Sequence, residues 1–259
     1  CGPTAVANSL WWLDSRFDPI NVPPPTISDG FPLVQAYGAW DDHDPRNVRP
    51  FITDLASKMD TDGRRTLSPH CGTEVYDMGY GIDWYLEEKG IDFLFYERVL
   101  EAPTFWDVEE EIQTCEDVIL LLGFWQWNNT HWVRVGGHYV TAAGANPGDM
   151  LLAICDPVLD VAELGGPGRV FPWPHLPGHT RVTHNNASYA SQDIYTVGFS
   201  LTPGGVWELT DYPAYMIIDS IGGNLPNDLE PYAGKYNYTL PIYTEVEYAV
   251  VISPKGPIV

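Results

Sequence analysis

The pattern of apolar residues changes near residue 115, and this change limits the folds open to the chain. Before it, apolar residues recur at helical spacing; after it, they form short runs of strand length separated by Gly, Pro and Asn. The clearest strand is Val118–Leu122, a continuous apolar run typical of a strand buried on both faces. Helices first and antiparallel strands later predict an α+β fold.

The same patterns place the individual elements. Helices are predicted over residues 1–13, 47–59, 72–89 and 104–114, with Thr73 as an N-cap and Gly90 as a stop. Gly136-Gly137 is interpreted as a turn, and Val158–Asn186 as a long loop. Strands are predicted over residues 91–100, 118–122, 132–135, 138–143, 150–155, 194–199, 206–209, 214–220 and 243–252. The sequence has no internal repeat and no clean linker, which predicts one domain over residues 1–259, with a helical part over about 1–115 and a sheet part over about 116–259.

Charge and composition exclude several classes of partner. The chain has 13 Lys and Arg against 35 Asp and Glu, a formal charge of −22, which disfavours nucleic acid and anionic membranes. The longest apolar candidate, Val118–Trp127, is shorter than the roughly 18 residues that a membrane span needs. No metal-ligand spacing is present, so no metal or other cofactor is expected. Few lysines and many aromatic and proline residues favour an extracellular or cell-surface setting.

The number of cysteines adds little to the prediction of an extracellular or cell-surface setting. Four cysteines are too few for a disulfide scaffold, and a Cys71–Cys115 bridge is left open. Three stretches, beginning at Asn128, Asn186 and Asn237, match the glycosylation pattern, which matters only in a secreted protein.

The first candidate functional residue is Cys1, which stands before a predicted buried helix. Pro3 suits the first turn, and Val6, Leu10 and Leu13 form part of an apolar stripe at helical spacing. Unpaired N–H groups and the helix dipole at that place favour a thiolate and lower the pKa of a thiol. The sequence therefore predicts a reactive cysteine.

Two further residues supply what a thiol nucleophile needs. His138 opens a predicted strand behind Gly136 and Gly137, which leave room for a substrate backbone, and it is the candidate base. Asp156 follows the next predicted strand. Because a hairpin returns the chain beside itself, we expect Asp156 near His138, where it would orient the imidazole.

The three motifs together resemble a known family. Cys1-Gly-Pro-Thr-Ala-x-Ala-Asn-x-Leu, Gly136-Gly-His138-Tyr-Val-Thr and Ile154-Cys-Asp156-Pro are similar to motifs of papain-like cysteine peptidases, and most similar to the bacterial branch related to double-glycine, bacteriocin-processing peptidases. The resemblance implies an N-terminal nucleophile helix and a helical part packed on an antiparallel β-sheet. It also implies Cys1 as nucleophile, His138 as general base and acid, Asp156 as orienting group, and a peptide or protein substrate cleaved through a thioester. Because the sequence starts at Cys1, release from an upstream propeptide by cleavage before that residue is a further expectation.

One departure keeps other functions open. Such enzymes place an oxyanion-hole Gln shortly before the nucleophile, whereas nothing precedes Cys1 in this sequence. No motif marks any of the four glutamines as its replacement, namely Gln35, Gln113, Gln126 and Gln192. The α-amine of Cys1 is a second candidate base, and a lipid anchor at Cys1 is another alternative. An amide hydrolase or acyltransferase on the same Cys–His pair remains open. So does an inactive peptidase-like module that binds or assembles with a partner through loops 14–50 and 158–186.

Overall fold

The computed structural model describes four helices and seven strands. It covers residues 1–17, 31–34, 45–67, 72–114, 117–157, 194–214, 217–218 and 240–256. The helices are α1 (Gly2–Phe17), α2 (Pro45–Lys58), α3 (Val75–Lys89) and α4 (Phe105–Gln113). The strands are β1 (Phe95–Glu101), β2 (Asp117–Trp127), β3 (Trp132–Asn146), β4 (Leu151–Cys155), β5 (Ile194–Leu201), β6 (Trp207–Thr210) and β7 (Tyr243–Pro254). Cys71 and Cys115, whose bridge was left open, lie outside the described residues, as do the 158–186 loop, most of the 14–50 loop and the sequons at Asn186 and Asn237.

Helix ends follow ordinary capping chemistry. Thr104 begins α4 with a capping box, in which its hydroxyl accepts from the Asp107 N–H and the Asp107 carboxylate accepts from the Thr104 N–H. Gly90 ends α3 in a left-handed conformation (φ 68°), as predicted. The predicted N-cap of α3 is wrong by one residue, since Glu74 occupies that position and Thr73 lies before it.

The strands close into a ring, which corrects the predicted fold. All pairings are antiparallel, in the order β1-β7-β2-β3-β4-β5-β6, and β6 also pairs with β7. Six strands thus form a closed antiparallel barrel, and β1 lies outside it on β7. The expected papain-like α+β arrangement, helices packed over an open antiparallel sheet, is therefore wrong.

Closure has a local cause in the strands themselves. Register shifts interrupt the β2–β3 ladder between Phe124 and Trp125, and the β2–β7 ladder between Leu121 and Leu122. Such bulges bend a strand and increase its twist. Bends of this kind favour closure of a sheet into a barrel.

Two apolar clusters lie on opposite faces of the barrel wall. Along β2, Val118, Leu120 and Leu122 belong to the cluster inside the barrel, which α4 joins through Phe105, Val108 and Ile112. Ile119, the alternate residue, belongs to a second cluster formed with α1, α2 and α3 on the outer face. β2 is therefore buried on both faces, as its continuous apolar run predicted.

Two other predictions of local structure fail. Gly136 and Gly137 do not form a turn, because β3 runs through them from Trp132 to Asn146. The strand predicted over 214–220 is also wrong, since Ala214, Ile217 and Ile218 have helical backbone. Within the described ranges, none of the helices combines the length and the apolar character required to cross a membrane.

Candidate functional site

His138 and Asp156 form a buried pair at the β3–β4 hairpin. The two strands are antiparallel neighbours, with Thr141 opposite Cys155. Asp156 directly follows β4, and its Oδ1 lies 2.8 Å from Nε2 of His138. Both side chains are fully buried (0 % exposed). The structure therefore brings together two of the three residues that the sequence selected.

The hydrogen bonds around this pair select one form of the imidazole. Because a carboxylate oxygen can only accept, we assign the His138 proton to Nε2, which then donates to Asp156. Nδ1 is buried and has no hydrogen-bond partner in the described part of the chain. The neutral imidazole thus presents an unused lone pair at Nδ1, the feature a general base requires.

Tyr212 is the third residue of the hydrogen-bonded group that contains His138 and Asp156. Its hydroxyl donates to Oδ2 of Asp156 at 2.6 Å, and its ring stacks on Phe124 with centroids 5.9 Å apart. Both carboxylate oxygens of Asp156 therefore accept hydrogen bonds in the protein interior. Sequence reasoning missed this role because Tyr212 follows Asp156 by 56 positions and no spacing rule connects them.

Cys1 occupies the N-cap position of α1. Its carbonyl oxygen accepts the first hydrogen bond of the helix, from the Ala5 N–H at 2.8 Å, and the residue itself is exposed. The first turn is attached to β3, because the Thr141 hydroxyl donates to the Ala5 carbonyl at 3.1 Å. The predicted helix N-terminus is thus present, and it lies against the strand that carries His138.

A second set of contacts fixes the start of α1. Gly2 lies so close to Thr73 that an added Cβ would be 2.7 Å from Oγ1 and 2.9 Å from Cβ of that residue. The Thr73 carbonyl in turn accepts a hydrogen bond of 2.7 Å from the Tyr139 hydroxyl, on the residue after His138. Thr73 therefore connects the start of α1 to β3.

The electrostatics of Cys1 also indicate proximity to Asp156. Burial of the Cys1 amino group lowers its pKa, and the negative charge of Asp156 opposes this shift. Since Nδ1 of His138 lacks a partner, the Cys1 thiol makes no hydrogen bond to it. The Cys1 amino group thus lies within electrostatic range of Asp156, but the nucleophile–base hydrogen bond is not formed.

Gly136 and Gly137, the predicted substrate-binding residues, are closely packed within β3. A Cβ added to Gly136 would lie 3.3 Å from Cδ2 of Phe124. One added to Gly137 would lie 2.9 Å from the Leu122 carbonyl oxygen and would overlap the Arg134 guanidinium. Close packing against the Leu122 backbone therefore disfavours a side chain at Gly137, while Gly136 leaves only tight space beside Phe124.

The remaining polar candidates lie elsewhere. Gln126 donates to the Leu240 carbonyl at 3.0 Å and Gln113 to Glu109, so neither is available to an oxyanion at Cys1, while Gln35 and Gln192 lie outside the described residues. His131 is at the tip of the β2–β3 hairpin, and the other five histidines are not described. No group of three metal-ligating side chains occurs among the described residues.

Comparison of the chain with models of known protein families, with curated proteins and with solved structures finds no match. The site must therefore be interpreted from its own chemistry.

Proposed function

We propose that the chain is a cysteine peptidase, which cleaves peptide bonds through an acyl-enzyme on Cys1. The observation that carries the proposal is the buried imidazole of His138, with Nε2 bonded to Asp156 and Nδ1 unused. An exposed cysteine at a helix N-terminus nearby supplies a nucleophile whose thiolate is favoured. The barrel is not the fold that the motif resemblance implies, so the proposal rests on side-chain geometry rather than on fold.

The proposed reaction has two halves. The Cys1 thiol gives its proton to Nδ1 of His138, and the sulfur attacks the carbonyl carbon of the substrate amide. The imidazolium returns that proton to the leaving nitrogen as the C–N bond breaks, which leaves a thioester. Water then gives a proton to Nδ1 and attacks the thioester carbon. The acid product leaves as the sulfur takes the proton back.

Asp156 and Tyr212 act through His138 in this scheme. The carboxylate keeps the proton of the neutral imidazole on Nε2 and stabilises the imidazolium that forms in each half-reaction. The Tyr212 hydroxyl holds that carboxylate in place. Catalysis also requires the Cys1 sulfur to approach Nδ1 to hydrogen-bond distance, a contact that often tightens only when substrate binds.

Chemical labelling of Cys1 tests the proposal. We expect iodoacetamide at pH 6 to label Cys1 about tenfold or more faster than an ordinary thiol, because only the thiolate reacts. His138→Gln should remove this advantage and abolish cleavage of unfolded casein, whereas His131→Gln, at the exposed hairpin tip, should change neither. Peptide mapping assigns the label to Cys1, and near-ultraviolet circular dichroism verifies that both variants are folded.

A module that binds a partner without catalysis is the second candidate, and one observation favours it. His138 and Asp156 are fully buried, and the Cys1 thiol makes no hydrogen bond to the imidazole. A labelling rate equal to that of free cysteine and unchanged in folded His138→Gln would support this candidate and contradict the peptidase.

A further inference from the structure

An exposed group of aromatic rings lies at the end of the β2–β3 hairpin. This aromatic patch consists of Trp127, Trp132 and Tyr243. The Trp132 ring centroid is 5.7 Å from that of Trp127 and 5.9 Å from that of Tyr243. Trp127 is 43 % and Trp132 51 % exposed. The two indoles therefore present large π surfaces to solvent in the described structure.

Strand pairing explains why the three rings meet. Trp127 and Trp132 are directly opposite each other at the end of the hairpin. Tyr243, the first residue of β7, is opposite Trp125, which precedes Trp127 by two positions on β2. Because alternate residues share a face, the three rings lie on the outer face of the barrel.

Two carboxylates adjoin the aromatic patch. Glu245 follows Tyr243 by two positions on β7, and Glu208 of β6 is directly opposite Glu245. Burial raises the pKa of the Tyr243 hydroxyl, and the charges of Glu245 and Glu208 raise it further, so both carboxylates lie near that ring. The patch is therefore bordered by negative charge.

The two carboxylates beside the patch are not held in ion pairs within the described part of the chain. Arg134, whose charge reaches Glu245, already forms two hydrogen bonds of 2.8 Å with Glu247. Among the described residues, neither Glu208 nor Glu245 forms an ion pair. Both carboxylates are therefore available to attract a bound cation.

We propose that the aromatic patch, together with Glu208 and Glu245, binds an alkylammonium group, such as the lysine side chain of a basic peptide. A cation over the face of an indole or phenol ring is attracted by the ring quadrupole, and nearby carboxylates add a direct charge interaction. The net charge of −22 attracts basic partners in general, while the patch provides the local recognition. This binding does not depend on the proposed catalysis at Cys1.

A neutral sugar is the competing ligand, because exposed indoles also stack on sugars. The observations favour the cation, because the two carboxylates beside the Tyr243 ring attract a positive charge more strongly than a neutral sugar. The two ligands also differ in their response to removal of one carboxylate. Loss of a charge weakens an ammonium complex more than it weakens a neutral one.

Isothermal titration of the whole chain with acetyl-trilysine amide tests the proposal, with acetyl-triglutamine amide as the neutral peptide. We expect the lysine peptide to bind and the glutamine peptide not to bind. Trp132→Leu should raise the Kd of the lysine peptide about fivefold, because it removes the more exposed of the two indoles in the patch. Glu245→Gln should weaken binding by a similar factor. Trp106→Leu, which removes an indole that is 54 % exposed on α4, is the matched control and should leave the Kd unchanged.

Two results would overturn the proposal. Equal lysine-peptide affinity in the native chain and in folded Trp132→Leu and Glu245→Gln would assign binding to general charge attraction. Binding of maltotriose that is lost in Trp132→Leu but retained in Glu245→Gln would assign the patch to sugars. If Trp132→Leu fails to fold, Trp132→Phe replaces it, since it keeps a smaller ring and should weaken binding less.

Discussion

At the scale of single residues, His138 and Asp156 depend on each other. Both are fully buried, and each satisfies one polar group of the other through the 2.8 Å hydrogen bond. Removing one member of such a pair leaves the other with an unsatisfied group in the interior, which costs more than the bond itself contributes. Substitutions that keep the shape but change the donor pattern therefore separate chemistry from packing.

Asp156→Asn is the most informative of these substitutions for catalysis. The amide group can present an N–H to Nε2, which would move the imidazole proton to Nδ1 and remove the free lone pair. We expect casein cleavage to fall by about 10²- to 10⁴-fold, by analogy with triads that lose the carboxylate. Cys1 labelling at pH 6 should slow in parallel. Asp92→Asn, on an exposed turn, is the control and should retain both rates.

Tyr212→Phe tests the positioning role of the tyrosine. The variant keeps the ring stacked on Phe124 but removes the 2.6 Å hydrogen bond to Asp156. Loss of this buried hydrogen bond to a carboxylate should lower the free energy of unfolding by about 1–3 kcal/mol, measured by urea denaturation.

If the role of Tyr212 is purely structural, Tyr212→Phe should change only the stability of the chain. If Tyr212 holds Asp156 for catalysis, the acidic limb of the pH–rate profile should also shift in Tyr212→Phe, because a less well held carboxylate stabilises the imidazolium less. Tyr96→Phe, on the exposed side of β1, should change neither stability nor the profile. An unchanged profile in Tyr212→Phe would contradict the positioning role.

At the scale of elements, the placement of α1 depends on a close approach at Gly2. A methyl group there would meet Thr73 at 2.7 and 2.9 Å, closer than real Cβ contacts, so α1 or the Thr73 segment must move. We expect Gly2→Ala to lower the free energy of unfolding by about 1–3 kcal/mol, as for overpacking. The movement should also slow Cys1 labelling. Gly256→Ala is the control, because nothing lies within 4 Å of its added Cβ.

Elements defined by local apolar patterns could be predicted from the sequence. The run at Val118–Leu122 correctly indicated a strand buried on both faces, because each face meets a different cluster. The turn predicted at Gly136-Gly137 was wrong. Paired glycines usually indicate a turn, whereas here Phe124 and Arg134 lie in the space that side chains would need. A glycine selected by a distant neighbour cannot be distinguished from a turn glycine by local pattern.

Ring closure and the complete site depend on contacts that no local pattern contains. The barrel closes through β6 and β7, where Glu208 is opposite Glu245, a pairing of like charges that sequence rules disfavour. Tyr212 reaches Asp156 in the same long-range way. His138 and Asp156, by contrast, lie on strands joined by one tight connection, so their approach was predictable from the hairpin alone.

At the scale of the whole molecule, the net negative charge and the burial of carboxyl groups together determine how stability depends on pH. With a net charge of −22, the folded chain repels itself. Burial also raises the pKa of carboxyl groups on several elements, and it raises that of Asp117, the first residue of β2, well above its usual value. The others are Asp83, Glu97, Glu208 and Glu245. The folded state thus holds protons that the unfolded chain releases.

This linkage sets the direction of the pH dependence of stability. A carboxyl whose folded pKa is raised contributes most below its unfolded pKa, near 4, and its contribution is lost as the pH rises through the folded value. Asp60 acts in the opposite direction: although burial raises its pKa, hydrogen bonds from Thr66 and Arg65 lower it overall, so its contribution is lost on acidification. The Cys1 amino group, whose pKa burial lowers, also opposes the trend, because the folded chain binds its proton less readily than the unfolded chain. Because the raised carboxyl groups outnumber these two groups, we expect the Tm to increase as the pH falls from 8 towards 5.

Asp117→Asn isolates one buried contributor to this trend. At pH 8 the aspartate must either ionise in the interior or hold a proton against the solvent pH, and asparagine avoids both costs. We expect the variant to have a higher Tm than the native chain at pH 8, and the difference to shrink steadily towards pH 4, where the native carboxyl is protonated. Differential scanning calorimetry at constant ionic strength measures this difference. Asp62→Asn, on an exposed turn, should give a difference near zero at every pH. A difference for Asp117→Asn that is independent of pH would mean that the carboxyl titrates normally in the folded chain.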